Sequence, residues 1–145
     1  MRAVIQRIKG GQITVGEEVI STAGPGLCIF LAVRRADTEA NVDYLTEKIA
    51  RLRIFDDEQG KMNRSLLDSK GDVLIVSEFT LYGNCTHGNR PSFSDAAPPE
   101  EAQRLYDSFV RRLRDLGFRV STGRFRAKMN VALVNDGPVT FILDA

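Results

Sequence analysis

Side chains that commonly drive hydrolysis near neutral pH are scarce in this chain. It holds one histidine, His87, and two cysteines, Cys28 and Cys85. These are a poor set for zinc, and no metal or other cofactor is expected. The sequence contains no P-loop, GxGxxG, HExxH, CxxC pair or GxSxG elbow. Cys85 and His87 lie two positions apart, which permits a thiol–base pair without specifying one; the plainer reading is two polar loop residues. An enzyme built from such residues must rely on backbone donors, on groups that its substrate brings, or on a carboxylate with an unusual task.

Two segments could supply those parts. Ser77-Glu78-Phe79-Thr80-Leu81-Tyr82 closes an apolar run and offers two hydroxyls and a carboxylate. Asn135-Asp136-Gly137-Pro138-Val139-Thr140 is expected between two strands and joins a flexible residue to a rigid one. Thr80 has two readings. Its hydroxyl could attack, or its backbone could position the substrate; the second is favoured because no base adjacent to it is evident.

The elements that must position these segments follow from periodicity. Residues 2–9 alternate, with Ala3, Ile5 and Arg7 on one face and Val4, Gln6 and Ile8 on the other. Residues 12–15 continue past Gly10-Gly11, and a turn at 16–18 leads to Val19-Ile20 as a hairpin. Residues 27–33 read as a central strand buried on both faces, with Cys28 a small buried hydrophobe. A helix is expected over 38–53, with Val42, Leu45, Ile49 and Leu52 as its apolar stripe and Asp37 or Thr38 as its cap. Strand 72–80 follows, then a long segment over 82–98 whose length in a small protein suggests a functional loop. Pro98-Pro99-Glu100-Glu101 opens a second helix with Ala102, Leu105, Phe109, Leu113 and Leu116 inward. Strands 118–122, 125–134 and 139–144 end the chain. The class is α+β, mostly antiparallel and barrel-like with two helices, in one domain over 1–145.

Composition narrows the class further. Of 145 residues, 43% are hydrophobic, enough for a core without disulfides. No secretory leader is evident, and the apolar run 27–33 is far too short to span a bilayer, so a cytoplasmic protein without a membrane partner is expected. The net charge is +1, yet residues 111–128 carry seven bases against the single acid Asp115. That run is either a solvated face or a surface for phosphates.

The two segments resemble the paired signatures SQFTL and NxGPVT of the D-aminoacyl-tRNA deacylase family. Gly88-Asn89-Arg90-Pro91-Ser92-Phe93 resembles its GxRPSF loop, and both ends, MRAVIQR and GPVTFILDA, match in the same order along the whole chain. The resemblance implies an enzyme that hydrolyses the ester of D-aminoacyl-tRNA, and glycine mischarged on tRNA for alanine. Ser77, Glu78, Phe79 and Thr80 would then form the catalytic segment, with N–H groups around Phe79 and Thr80 facing the ester oxygen. Ala102, Phe125 and Met129 would wall the pocket. Gly137 and Pro138, joined by a cis bond, would enter the partner's site and reject L-amino acids, and a ribose hydroxyl of the tRNA would assist. The implied partners are tRNA and a second copy of the chain, in a homodimer with sites at the interface. Arg90 would contact phosphate or pin its loop.

Two positions depart from the family pattern. Glu78 stands where glutamine is usual, and an ionised glutamate accepts hydrogen bonds but donates none. Arg126 stands where FGAxM has glycine, a position at which close backbone approach is expected. The opposite charges suggest a Glu78 pair with Arg126 or Lys128. Strand alternation over 125–129 instead points Arg126 outward.

Overall fold

A computed structural model describes residues 1–145. Its organising element is β1 (Arg2–Val15), which runs unbroken through Gly10-Gly11 rather than stopping there. β1 pairs antiparallel with β3 (Gly26–Ala32) along its first half and with β2 (Glu18–Ala23) along its second. On its other side it pairs antiparallel with β8 (Asn130–Asp144) over nearly its whole length. The sheet then continues through β6 (Asp72–Ser77) and β7 (Val120–Thr122), both added in parallel. Parallel neighbours need crossovers, and helices provide them: α1 (Glu39–Arg51) lies between β3 and β6, and α3 (Pro99–Asp115) between β6 and β7. The sheet is therefore mixed, nearly closed and barrel-like, and the class is α+β.

Several expected boundaries shift. The predicted strands 125–134 and 139–144 are one long β8, and residues 125–129 precede it as a turn. Strand 72–80 stops at Ser77, and Phe79–Tyr82 coils into a 3-10 turn. A short third helix, α2 (Leu66–Ser69), was not expected; Ser65 caps it by accepting from the Asp68 N–H. A small hairpin, β4 (Phe55–Asp56) with β5 (Met62–Arg64), also appears.

Two clusters make the core, divided by the sheet. Leu27, Ile29 and Leu31 of β3 face α1 and α3, where Val42, Leu45, Ile49, Leu105, Phe109 and Leu113 meet them. Cys28 points the other way, to Ile8, Ile13, Leu74 and Val76. β3 is thus buried on both faces, and burial pushes the Cys28 thiol up to about 12, so it stays protonated and inert. Leu116, placed on the apolar stripe from sequence, is 47% exposed because α3 ends before it. Thr38 caps α1 and receives its own support from Asn41. Asp37 serves elsewhere: it binds the Met1 ammonium at 2.6 Å and the Arg34 N–H at 2.5 Å.

β3 and β6 begin in very close contact. A β-carbon built on Gly26 falls 1.9 Å from the carbonyl oxygen of Asp72, so only glycine fits. Replacement Gly26→Ala is expected to destabilise the fold by about 3 kcal/mol, read from the midpoint of chemical denaturation. A change below about 0.5 kcal/mol would show that this junction is loose.

Candidate active site

One cleft dominates the surface, with a volume of about 710 Å³, within the ordinary range for small-ligand sites. β3 contributes Leu31 and Ala32 to it, and β6 and the turn that follows contribute Val76, Ser77, Glu78 and Phe79. The start of α3 adds Pro99, Ala102 and Tyr106, while Phe125, Arg126, Ala127 and Met129 close the far side. Most of the lining is apolar. The charged side chains among the lining residues are Arg35, Glu78 and Arg126.

Aromatic rings shape the walls. Phe79 is 55% exposed and meets Phe93 edge to face at 5.0 Å, leaving ring surface open at the cleft. Exposed rings of this kind suit the stacking of a nucleobase. Phe125 leans on Tyr106 at 5.8 Å, and the Tyr106 hydroxyl donates to the Ile75 carbonyl at 3.1 Å. Burial pushes the Tyr106 phenol well above its ordinary range, so it is a fixed donor rather than an acid.

The 3-10 turn supplies backbone donors. Its carbonyls are taken by Leu81 and Gly83 N–H groups, as Leu81 donates to Glu78 and Gly83 to Thr80. The N–H groups of Phe79 and Thr80, in the first turn, have no backbone acceptor. Pairs of free N–H groups can stabilise a developing oxyanion. No group of three or more His, Cys, Asp and Glu side chains converges anywhere in the fold.

The residues singled out from sequence divide into two groups. Ser77, Glu78, Phe79, Ala102, Phe125 and Met129 line the cleft together. Thr80, Arg90, Gly137 and Pro138 do not. One argument about Thr80 is corrected: a potential base does adjoin it, since its hydroxyl donates to the Glu78 carboxylate. The suggested pairing of Glu78 with Arg126 or Lys128 is absent; neither cation lies within 4.0 Å of an acid. The outward placement of Arg126 holds, with Arg124, Arg126 and Lys128 exposed and Phe125, Ala127 and Met129 half-buried, although 125–129 is not the strand from which it was argued. Arg126 sits in a turn with φ +62°, which is the physical reason a glycine suits that position.

Gly137 and Pro138 stand on an extrusion of β8. Gln6 pairs with Thr140 and Ile8 with Asn135, so four residues of β8 oppose Arg7 alone. Arg7, almost fully buried, fills that bulge: its Nε meets the Asp136 carboxylate at 3.0 Å and the Asp136 carbonyl at 3.3 Å. Its Nη1 donates to the Ile54 carbonyl at 2.9 Å and to Asp56 at 3.1 Å. The Asn135 amide donates to the carbonyls of Arg7 and Val139, closing the neck. Held this way, Gly137 and Pro138 project into solvent with a cis peptide bond between them. Sequence reasoning missed Arg7. The available signal was a charged residue on the apolar face of β1, beside Ala3 and Ile5.

The basic run is dispersed by the fold. Arg112 is held by Glu39 and Asp43 on α1, Arg124 meets Glu18 at 3.2 Å, and Arg119 approaches Asp72 at 3.8 Å. Glu39 also binds Arg104 and accepts from Ser108 at 2.7 Å; these contacts, Ser108 first, hold its carboxyl below the usual range.

Fold and cleft together define a β-rich protein with one mostly apolar ligand cleft, beside which a 3-10 turn leaves two backbone N–H groups without a backbone acceptor. The chain belongs to the D-Tyr-tRNA(Tyr) deacylase family, whose model matches residues 4–144; its activity is cleavage of an acyl ester. It is 55% identical to a D-aminoacyl-tRNA deacylase of Symbiobacterium thermophilum, covering all of this chain and 96% of that one. It is 58% identical to a D-aminoacyl-tRNA deacylase of Roseiflexus sp., covering all of this chain and 94% of the other. A solved structure described as a c-Myc DNA unwinding element binding protein superposes with a TM-score of 0.93 at 40% identity, over 100% of this chain and 99% of that one. A probable eukaryotic D-amino acid tRNA deacylase shares the fold at a TM-score of 0.86 and 19% identity, over 99% and 98% of the two chains.

Replacing Arg7 by alanine is expected to cost about 2 kcal/mol, since it strands the Asp136 and Asp56 carboxylates and the Asp136 and Ile54 carbonyls. Hydrogen exchange should rise at residues 136–139 and stay unchanged in α1 and α3. Unaltered exchange at the bulge would show that Asn135 alone holds it.

Proposed function

We propose that this chain, acting as one domain over residues 1–145, hydrolyses the ester of D-aminoacyl-tRNA in the cytoplasm as a homodimer. The observation that carries this reading is the separation of two halves of one site. The cleft has apolar walls but no chiral wedge, while Gly137 and Pro138 form a rigid projection outside their own cleft. A second copy would bring the projection to the cleft. Support comes from β8 itself, an edge strand paired only with β1, with Val134 and Ile142 at 60% and 66% exposure. Such an edge ordinarily needs a cover.

In this reading the terminal adenosine lies against Phe79 and Phe93. The N–H groups of Phe79 and Thr80 receive the ester oxygen, and each such donor is worth about 10²–10³ in rate. The free hydroxyl of the ribose orients or activates water, which supplies the group that the protein lacks. The partner's projection receives the α-amino group and excludes an L side chain. A D side chain points outward, so its identity matters little. Glycine has no side chain to exclude, so glycine mischarged on tRNA for alanine is also cleaved.

A second reading draws on the Glu78–Thr80 contact: Thr80 attacks the ester with Glu78 as its base, and simple esters are then substrates. A third leaves an RNA-binding module without activity. Incubation with D-tyrosyl-tRNA, L-tyrosyl-tRNA and a simple D-amino-acid ester separates all three. Cleavage of the D-tRNA ester alone is expected; cleavage of both enantiomers, or a monomer by sedimentation, removes the proposal. Thr80→Ala is expected to keep deacylation within about tenfold, and a fall to the uncatalysed rate would instead assign the hydroxyl as nucleophile.

A further inference from the structure

We propose that Arg126 is a phosphate-binding residue of the cleft, holding a backbone phosphate of the single-stranded RNA end that carries the acyl group. The inference rests on the deacylase reading for its ligand and on backbone geometry for its residue.

Residues 124–127 form a tight turn closed by the Ala127 N–H on the Arg124 carbonyl at 3.1 Å. Arg126 is the third residue of that turn and adopts φ +62°, while Phe125 stays outside the left-handed region. This pairing of backbone states calls for glycine at the third position. A β-carbon there makes the turn harder to form. The other non-glycine residue with positive φ is Lys70, whose conformation is accounted for by its place at the C-terminal cap of α2. No helix ends at Arg126. An arginine in a glycine's seat, on the wall of the main cleft, is explained by what its side chain reaches.

The turn is also well fixed. Phe125 on one side packs against Tyr106, and Ala127 and Met129 on the other side line the same cleft. Arg126 is exposed and has no carboxylate within 4.0 Å. Its neighbour Arg124 is occupied by Glu18, and Arg112 by Glu39 and Asp43. Arg35 lines the same cleft, and its Nε donates to the Ser94 carbonyl at 2.6 Å. The one acid of the lining, Glu78, accepts the Thr80 hydroxyl. The cleft therefore presents a guanidinium without an acidic partner, on a rigid base. A guanidinium matches a phosphate by a two-pronged hydrogen bond.

The test is binding of an uncharged RNA hairpin with an unpaired CCA end, by fluorescence anisotropy at 50 and 200 mM salt. Wild type, R126G and R126K are compared, with melting temperature and sedimentation recorded for each. R126G is expected to bind about tenfold more weakly. Its plot of log Kd against log salt should be shallower by about 0.7, the share of one single-strand phosphate. It should melt about 2–5 °C higher, because glycine fits the turn. R126K should keep the salt slope and lose only about threefold. Equal Kd and slope in wild type and R126G overturn the proposal. So does failure of the wild type to bind the hairpin, or a weaker R126G that melts lower or dissociates into monomers. Deacylation is measured separately. Wild type that binds RNA but cleaves no D-aminoacyl-tRNA defeats the deacylase reading, while the Kd comparison still decides Arg126.

Discussion

The ladder between β1 and β8 is the constraint from which the rest of the molecule follows. It spans nearly all of both strands, so the beginning and end of the chain are fixed against each other. A ladder of that length cannot slip without turning every side chain to the opposite face. Its single large irregularity is therefore forced to one place. Opposite Arg7 the surplus residues of β8 must leave the sheet, and they leave as Asp136 to Val139. The same registration places β3 beside β1, and so brings the end of β6, Glu78 and Phe79 to the cleft.

Rigidity is distributed unevenly, in a way that suits recognition. The cleft is walled by β-sheet, by the first turns of α3 and by a turn that Tyr106 and Phe125 brace. The projection is braced by a buried guanidinium and an asparagine amide, both fixed to backbone. The Arg7 contacts lie where solvent exposure is low and hydrogen bonds hold geometry firmly, while the Asn135 bonds sit at the exposed rim. The chain's one histidine lies away from the cleft lining.

Charge is arranged with similar economy. Residues 111–128 look uniformly basic in one dimension. Folding distributes them over a helix, two loops and a short strand, where several meet acids from α1, β2 and β6. Of the bases in this run without an acid beside them, Arg126 alone lines the cleft, while Arg111 meets Ser108 and Arg114 the Val120 carbonyl, so there is no continuous basic face at the cleft.

The sequence by itself determined the amphipathic stripes of α1 and α3, the doubly buried β3, the scarcity of conventional bases and the signatures that mark the family. Each of these is local, because side-chain periods of 2 and 3.6 and short motifs are written in neighbouring residues. Only the tertiary structure decided that the final two strands are one, that Phe125 to Met129 is a turn, that Arg7 supports the projection, and that Thr80 touches Glu78 while leaving the cleft lining. The joined strand and the role of Arg7 depend on partners distant in the chain, since a bulge exists only relative to the strand it faces; the turn at Phe125 and the Thr80–Glu78 contact are local, but no side-chain period marks them.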